Sequence, residues 1–544
     1  MPVGDPPGLP LPINNEFQYG DTYTNVFRLS HDWTVRPTIV NRLSAGGNDW
    51  GQVRRAHDAQ FNKGWGTKLG IKNVPDPNLL FPTFNFDGYR SFGRAEYGGS
   101  YNKTAAFTDD VSIVKGAHTL KAGYTYQRDH YNGYGQHTAS GSFNFSRQTT
   151  GVPGSQDPNS GNGFATFLLG IYNSANIETQ RYVSDQWTYH GLYFQDDWRV
   201  NKRLTLNLGV RYEYIPPTVE GNFPDGYSNF DPNVPNPGAG GRLGAMVFAG
   251  NGPGRTGKRT MYDPWRKGLG PRFGAAYSLN DKTVMRLSVG RSYASVKNTG
   301  GSSHFHGFIG SDGMVWTDQN QPSPYLLDNG YRTDWPRPPF LVPTFNNNTN
   351  TPFWQSFDSG RMPDYTSWNF NFQRQLPGEQ MVEVGYNAMM GHHLTTNLVN
   401  INQAPTAVWD DFVRRLGPLG AFNLFNSRWD SALAVQNGIT RPYPTFNDTV
   451  RQALRPYPQY QTINTGGDGG DRSGNSSYHA MVIKWEKRTS HGLTFLNSYV
   501  FSKMLTDSES MNADSGGSMD HYNRRLEKAL SRSDQTHNLK FSYS

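Results

Sequence analysis

The chain has 544 residues, of which 35% are apolar, 14% aromatic and only 17% charged. Soluble domains carry roughly 25% charged residues and disordered chains are poor in aromatic residues, so the composition fits neither class. The chain has no cysteine, which excludes disulfides and thiolate sites, and its net charge of +7 is not gathered into the basic patch typical of nucleic-acid binding.

Alternating segments, met in pairs along the chain, predict β-hairpins with very short turns. Successive side chains of a strand point to opposite faces. Within 204–214, for example, Leu208 lies on an apolar face and Arg211 on the opposite polar face. In chain order, hairpins are predicted at 23–35 with 38–46, 107–114 with 118–127, 187–200 with 203–214, 271–279 with 283–293, 366–376 with 381–388, and 478–486 with 493–502.

The connections between these hairpins are long and rich in Gly, Pro, Asn and Asp. They run over 128–186, 215–270, 295–364, 389–477 and 503–535. Compact soluble domains rarely carry structureless loops beyond about 12–15 residues. Local structure is expected in parts of them: a strand within 84–100, a strand at 142–145 extending a wall strand above the membrane, a helical turn or short strand at 164–170, and short helices at 406–417 and 427–437.

The alternation of short and long connections predicts the fold class. It is typical of an all-β, transmembrane, antiparallel up-and-down β-barrel with short periplasmic turns and long outer loops. We expect a partial barrel of about 13–16 strands forming one domain over 1–544, in the bacterial outer membrane. A soluble β-sandwich would instead show turns every 8–12 residues throughout. The sequence contains no run of 18 apolar residues, so no transmembrane helix is predicted.

The stretch from Tyr193 to Glu213 resembles a signature hairpin of TonB-dependent outer-membrane receptors, and more narrowly of the Oar-like group. Residues 270–277, 478–499 and 533–539 resemble later parts of that family, in the same order. The resemblance covers about 90–544. It implies a signal peptide, often a carboxypeptidase-regulatory-like domain, and a plug, followed by a barrel of about 22 strands.

By this resemblance, the barrel takes up an oligosaccharide, peptide or metal chelate with energy from TonB–ExbB–ExbD. The expected partners are outer-membrane lipid, the extracellular ligand and TonB–ExbB–ExbD, the last through a plug domain absent from this chain; no nucleic-acid partner is expected. A barrel piece without plug and final strands is expected to leave unpaired sheet edges. Two alternatives stay open: a surface adhesion or secretion-linked barrel, and a passive porin.

Aromatic residues of one long connection are the candidate ligand contacts. Aromatic rings stack on sugars and other flat ligands, although the same rings also pack a loop onto its neighbours. The candidates are Trp316, Tyr325, Tyr331, Trp335 and Trp354.

Metal and catalytic sites are not predicted. The histidine pairs His304/His306 and His392/His393 have no acidic residue at a convincing ligand spacing. A single Gly-Asp stretch with Asp468 and Asp471 is far short of a calcium-binding array. An acidic stretch is interpreted as a solvated outer loop, with ligand contact at the barrel rim as the alternative; it contains Asp507, Glu509, Asp514 and Asp520. No catalytic motif is present, so neither an enzyme nor a cofactor is expected.

Overall fold

The computed structural model describes most of the chain. The described residues are 13, 18–56, 61–93, 97–136, 138–155, 157, 159–220, 225–294, 306–318, 320–348, 352–356, 359–396, 398–465, 471–490, 492–509 and 518–544. The predicted candidates His304, Asp468 and Asp514 lie outside these residues.

Strands dominate the structure. In chain order they are β1 (Gln18–Arg36), β2 (Ile39–Ala56), β3 (Thr83–Phe86), β4 (Tyr89–Phe92), β5 (Tyr97–Lys115), β6 (His118–Gln136), β7 (Ser142–Phe145), β8 (Ser174–Glu178), β9 (Arg181–Arg199), β10 (Leu204–Tyr214), β11 (Val219–Glu220), β12 (Ser228–Asn236), β13 (Arg242–Phe248), β14 (Leu269–Asn280), β15 (Thr283–Tyr293), β16 (Ser311–Val315), β17 (Asp364–Leu376), β18 (Gln380–Leu394), β19 (Gly474–Ser490), β20 (Leu493–Thr506), β21 (Ala529–Leu530) and β22 (His537–Tyr543). The α-helices are α1 (Trp65–Lys68), α2 (Gly163–Leu168), α3 (Thr406–Asn426), α4 (Ala432–Gln436) and α5 (Val450–Ala453).

A 15-stranded antiparallel sheet forms what we call the wall. Its order is β1-β2-β5-β6-β9-β10-β14-β15-β17-β18-β19-β20-β21, with β11 beside β9 and β22 beside β20. The predicted hairpins are all confirmed, and several strands are longer than predicted: β5, β6 and β9 each have 19 residues. The sheet is not closed, because the described part of the chain contains no pairing of β1 with β22.

The two faces of the wall differ as the alternation predicts. On β10, the apolar Leu208 and Val210 are 39% and 38% exposed on one face. On the other face, Arg211 forms an ion pair with Glu213, with Nε and Oε1 3.1 Å apart. A barrel turns its apolar face to lipid and its polar face to the lumen. We therefore call these faces outward and inward.

The hydrophobic core lies above the wall, in the long connections, which together form what we call the outer layer. It contains a five-stranded sheet, β16-β8-β7-β3-β4, and a separate hairpin of β12 and β13. Phe143, Tyr172, Phe230 and Leu424 of this layer are at most 1% exposed. Burying an aromatic or aliphatic side chain contributes about 1.5–3 kcal/mol, so the layer has its own source of stability.

The local predictions for these connections are confirmed in part. Residues 84–100 contain two short strands before β5 begins, and 142–145 forms a strand. That strand, β7, pairs in parallel with β3 in the outer layer, so the prediction that it extends a wall strand is wrong. Its phenylalanines are better buried against the outer sheet than they would be on a protruding wall strand.

The helical predictions also hold, with changed bounds. Residues 163–168 form α2, and α4 lies within the predicted 427–437. Helix α3 runs beyond the predicted end at 417 because a kink joins two helical segments there. The kink is at Gly417, whose φ of 72° suits glycine, and Pro418 follows it. Among the described residues, no helix is both long and apolar enough to cross a bilayer.

Candidate functional site

The predicted aromatic residues are brought together in part. Tyr331 and Trp335 are 1% and 2% exposed and belong to the core cluster of the five-stranded outer sheet. Trp354 packs in a different cluster, around Phe230 and Phe248. The rings of Tyr331 and Trp335 are thus packing elements of the outer layer, which is the structural alternative that the sequence left open.

Trp316 and Tyr325 form a half-buried pair at the edge of the same sheet. Their rings meet edge to face, with centroids 6.4 Å apart, and Tyr325 also stacks on Tyr172 at 5.5 Å. The Trp316 indole nitrogen donates a hydrogen bond to the carbonyl of Gln321 at 3.1 Å. The pair is therefore held in place with part of its surface in solvent, as a ligand contact requires.

Asp312 of β16 holds the buried tyrosine of this cluster. The Tyr331 hydroxyl donates to Oδ2 of Asp312 at 2.6 Å, and Arg332 donates to both carboxylate oxygens, at 2.9 and 2.6 Å. Burial favours the neutral acid, but the hydrogen bonds from Arg332 and Tyr331 outweigh it and lower the pKa of Asp312. Burial and the neighbouring carboxylate raise the pKa of Tyr331, so the phenol stays protonated and keeps donating.

Replacing Tyr331 by Phe is expected to lower the stability of the outer sheet by about 1–2 kcal/mol, because one charge-assisted hydrogen bond to Asp312 is lost. Hydrogen exchange of the β16 amides in micelles measures the change. Tyr325→Phe is the matched control, since the Tyr325 hydroxyl bonds to no described residue. Equal protection in Tyr331→Phe and wild type would contradict the prediction.

A cavity of about 370 Å³ lies in another part of the outer layer. Its walls come from the segment before α3, from α3 and α5, and from the chain after β20. The lining residues are Asn400, Gln403, Ala404, Thr406, Trp409, Arg451, Arg455, Met519 and Asp520. An aromatic ring, two cations and several hydrogen-bonding groups therefore face one space.

The cations of this cavity are held by neutral groups. Arg455 donates to the carbonyl oxygens of Asn402 and Gln461, and Arg451 donates to the side chain of Asn426. Within the described ranges, neither arginine forms an ion pair. Burial, and then the field of Arg451, lower the pKa of Arg455. This positive charge, without an acidic partner in contact, suits an anionic ligand.

Sequence reasoning missed most of this cavity. Trp409 lay in a predicted helix and the two arginines are isolated in the sequence, so no motif marks them. Asp520 was singled out, and it accepts hydrogen bonds from Gln403 at 2.8 Å and from Thr406 at 2.9 Å. Those bonds tie the chain after β20 to the start of α3.

The other acidic residues and the histidines have structural partners. Asp507 lies 3.7 Å from Arg524, and Glu509 accepts the backbone N–H of Arg532 at 3.0 Å. Asp471 accepts the backbone N–H of Leu398 at 2.7 Å. His393 contacts Asp364 at 2.8 Å, His392 contacts Asn475 at 3.1 Å, and His306 contacts Asn346 at 2.8 Å. No group of three potential metal ligands occurs among the described residues.

The inward face of the wall is a hydrogen-bonded polar surface. The Tyr189 hydroxyl donates to Glu213 at 2.6 Å, beside the Arg211 ion pair. Across other strands, Lys484 lies 3.5 Å from Glu383, and Asn369 donates to Ser288 at 2.5 Å. These bonds cross-link neighbouring strands, and the face suits a wet lumen.

A comparison with solved structures finds several outer-membrane proteins. The pyoverdine outer membrane receptor FpvA from Pseudomonas aeruginosa PAO1 is 10% identical, with a TM-score of 0.38 over 97% of this chain and 48% of its own. The ferric yersiniabactin uptake receptor FyuA from Yersinia pestis is 6% identical, with a TM-score of 0.37 over 90% and 43%. The outer membrane transporter YddB from Escherichia coli is 10% identical, with a TM-score of 0.38 over 90% and 42%. The chain thus spans less than half the length of each, and no curated protein matches its sequence.

A family model of the outer membrane beta barrel domain matches residues 3–544. The match covers nearly the whole chain and agrees with the antiparallel wall, its apolar outward face and its short turns. This chain belongs to the outer membrane β-barrel domain family and lies in the bacterial outer membrane.

Proposed function

We propose that this chain is the barrel of a TonB-dependent receptor of the Oar-like kind, which takes up a ligand across the outer membrane with energy from TonB–ExbB–ExbD. The observation that carries the proposal is the outer layer with its own hydrophobic cores. Connections that pack together hold side chains at fixed distances, and a capture site depends on such preorganisation. A passive pore has no need of a layer of this kind.

The lumen side supports the same function. The inward positions of the wall carry ion pairs and hydrogen bonds such as Arg211 to Glu213. A polar lumen lets a polar ligand pass and lets a plug domain dock. By the family resemblance, the plug and its TonB contact belong to the whole receptor, and this chain supplies the wall and the outer layer.

The cavity beside Trp409 and the pair of Trp316 and Tyr325 are the proposed ligand contacts. Two cations, an aromatic ring, amide and hydroxyl groups and one carboxylate, Asp520, line the cavity, and Asp520 accepts hydrogen bonds from Gln403 and Thr406. Such a set binds a ligand that has both a flat apolar face and a negative charge. Acidic oligosaccharides, acidic peptides and anionic metal chelates all meet that description.

A growth comparison tests the proposal in the source bacterium. Wild type, a deletion of this gene and a deletion of tonB are grown with panels of oligosaccharides, peptides or ferric chelates as the limiting nutrient. We expect at least one nutrient on which both deletions lose growth to the same extent, because uptake needs the barrel and the energy source together. Growth retained without TonB but lost without the gene indicates a porin, and surface attachment lost with all nutrients still used indicates an adhesin.

Point variants then locate the contact within the receptor. Trp409→Ala is expected to weaken uptake of that nutrient about tenfold, which corresponds to about 1.4 kcal/mol of lost stacking. Tyr89→Ala is the control, because Tyr89 is an exposed aromatic residue at the β4 edge of the outer sheet and lines no part of the cavity. Equal uptake by wild type and Trp409→Ala would remove the cavity from the proposal without affecting the TonB result.

A further inference from the structure

A repeated arrangement of side chains lies on the outward face of the wall. On β6, Tyr124, Tyr126 and Arg128 occupy successive outward positions, and His190 of β9 lies opposite Tyr126. The Tyr124 hydroxyl and Nδ1 of His190 share a hydrogen bond of 2.9 Å. Tyr124 is paired across the strands with Leu192, which is 56% exposed, and this places the group on the apolar side of the sheet.

The same arrangement recurs on β20 and β22. Tyr499, Phe501 and Lys503 occupy successive outward positions, and His537 lies opposite Phe501. The Tyr499 hydroxyl and Nδ1 of His537 are 2.8 Å apart. The two strand pairs are far apart in sequence, yet the same side chains recur at the same height on the outward face.

A third pair joins the second group. On β18 and β19, the Tyr386 hydroxyl and Nδ1 of His479 are 2.7 Å apart. His479 also lies directly opposite Lys503 of β20. Lys503, His479 and His537, with Tyr386 of β18 bonded to His479, therefore form one outward cluster over β18, β19, β20 and β22, which we call the β18–β22 cluster.

The height of the cluster matches a membrane interface. Lys503 lies ten positions beyond Leu493, where β20 leaves its periplasmic turn, as Arg128 does beyond His118 on β6. At about 3.3 Å per residue and a tilt of about 40°, ten residues rise about 25 Å, the height of the apolar band of a barrel. The cations thus stand at the outer rim of that band, directly above the Tyr–His pairs.

The chemistry of the β18–β22 cluster is that of an anion site. A neutral histidine that accepts a tyrosine hydroxyl at Nδ1 carries its proton on Nε2, which can donate to a further group. Lys503 is exposed and makes no hydrogen bond or ion pair with a described residue. The described outward positions of β18, β19, β20 and β22 hold no acidic side chain, because Glu383 and Glu486 occupy inward positions. On β5, by contrast, Asp109 lies opposite Tyr124 and weakens the positive field there.

We propose that the β18–β22 cluster binds the phosphate-bearing headgroup of a lipid of the outer leaflet. Lys503 supplies the charge, and His479 and His537 supply Nε2–H donors. The group around Arg128 and His190 is a weaker copy of the same site, because of Asp109. A lipid headgroup fits better than a free anion, since the site sits on top of an exposed apolar strip that includes Phe501, 45% exposed, and Met481, 39% exposed.

Native mass spectrometry of the full-length receptor in detergent micelles tests this site, with bisphosphorylated lipid A as the probe. Lys503→Ala is expected to bind the probe about fivefold more weakly, the loss that corresponds to about 1 kcal/mol per cation near a membrane surface. Arg128→Ala is expected to show a smaller loss. Wild type should bind dephosphorylated lipid A more weakly, and inorganic phosphate should not displace the bisphosphorylated probe.

Lys540→Ala is the matched control, because Lys540 lies on the neighbouring strand at an inward position. It should bind the probe as wild type does, and heat-modifiable gel migration should confirm that each variant is folded. The proposal is overturned if Lys503→Ala and wild type bind equally, if Lys540→Ala loses binding to the same extent, or if inorganic phosphate displaces the lipid.

Discussion

Replacing Phe143 by Ala is expected to destabilise the outer layer by about 3–5 kcal/mol, because it opens a cavity in a fully buried aromatic core. Phe143 is 0% exposed, and its ring stacks on Phe84 at 6.0 Å and meets Tyr172 edge to face at 5.2 Å. The loss should unfold the five-stranded sheet and leave the wall intact, because the strands of the wall are paired with one another. Limited proteolysis of the full-length protein in micelles should therefore cut within 61–93 and 138–180 first.

Leu192→Ala is the control for that substitution. Leu192 is 56% exposed on the outward face of β9, where lipid or detergent fills the space of the lost side chain. This variant should resist proteolysis as wild type does, and both variants should keep heat-modifiable migration. If Phe143→Ala is as resistant as wild type, the outer layer does not depend on this core.

Acidification is expected to loosen the outer layer through His306. This side chain is 3% exposed, and burial, together with the field of Arg181, lowers its pKa to about 3. In the unfolded chain a histidine titrates near pH 6.5. Between pH 6.5 and 3 this histidine is therefore protonated in the unfolded chain and neutral in the folded chain. The free energy of unfolding that depends on His306 is thus highest above pH 6.5 and falls as the pH falls, by about 2–3 kcal/mol at pH 4.5.

Two variants separate this histidine from other acid effects. His306→Gln keeps a polar side chain but cannot titrate in this range, so hydrogen-exchange protection of β12 and β13 should change less between pH 7 and 4.5 than in wild type. His392→Gln, at an exposed histidine, should keep the wild-type slope. A wild-type slope in His306→Gln would show that other groups cause the acid sensitivity.

The wall could be predicted from the sequence because each strand carries its own evidence. Alternation over a single segment such as 204–214 determines which side chains face lipid. The short turn after a strand determines which strand pairs with it. The strand ends could not be predicted in the same way. Strands such as β9 continue above the apolar band, where both faces meet protein or water and the alternation fades.

The outer layer could not be predicted to the same depth, since its contacts join residues distant in sequence. The parallel pairing of 83–86 with 142–145, and the burial of Tyr331 against Tyr172, depend on how separate connections meet. The candidate cavity was hard to predict for the same reason, because Trp409 comes from α3, Arg455 from the chain just after α5, and Asp520 from the chain after β20. The aromatic candidates could therefore be recognised from the composition of one connection. Only the folded structure shows which of them are buried in the core and which are partly exposed.

The kink at Gly417 and Pro418 has a consequence for how this barrel can diversify. The two halves of α3 meet at a position where φ is 72° and a Cβ would have open space around it. A bend of this kind can change its angle when nearby residues change, while the strands below keep their register. Relatives with a different bend would hold Trp409 at a different distance from α5, so the proposed capture site would change in size through changes in a single helix.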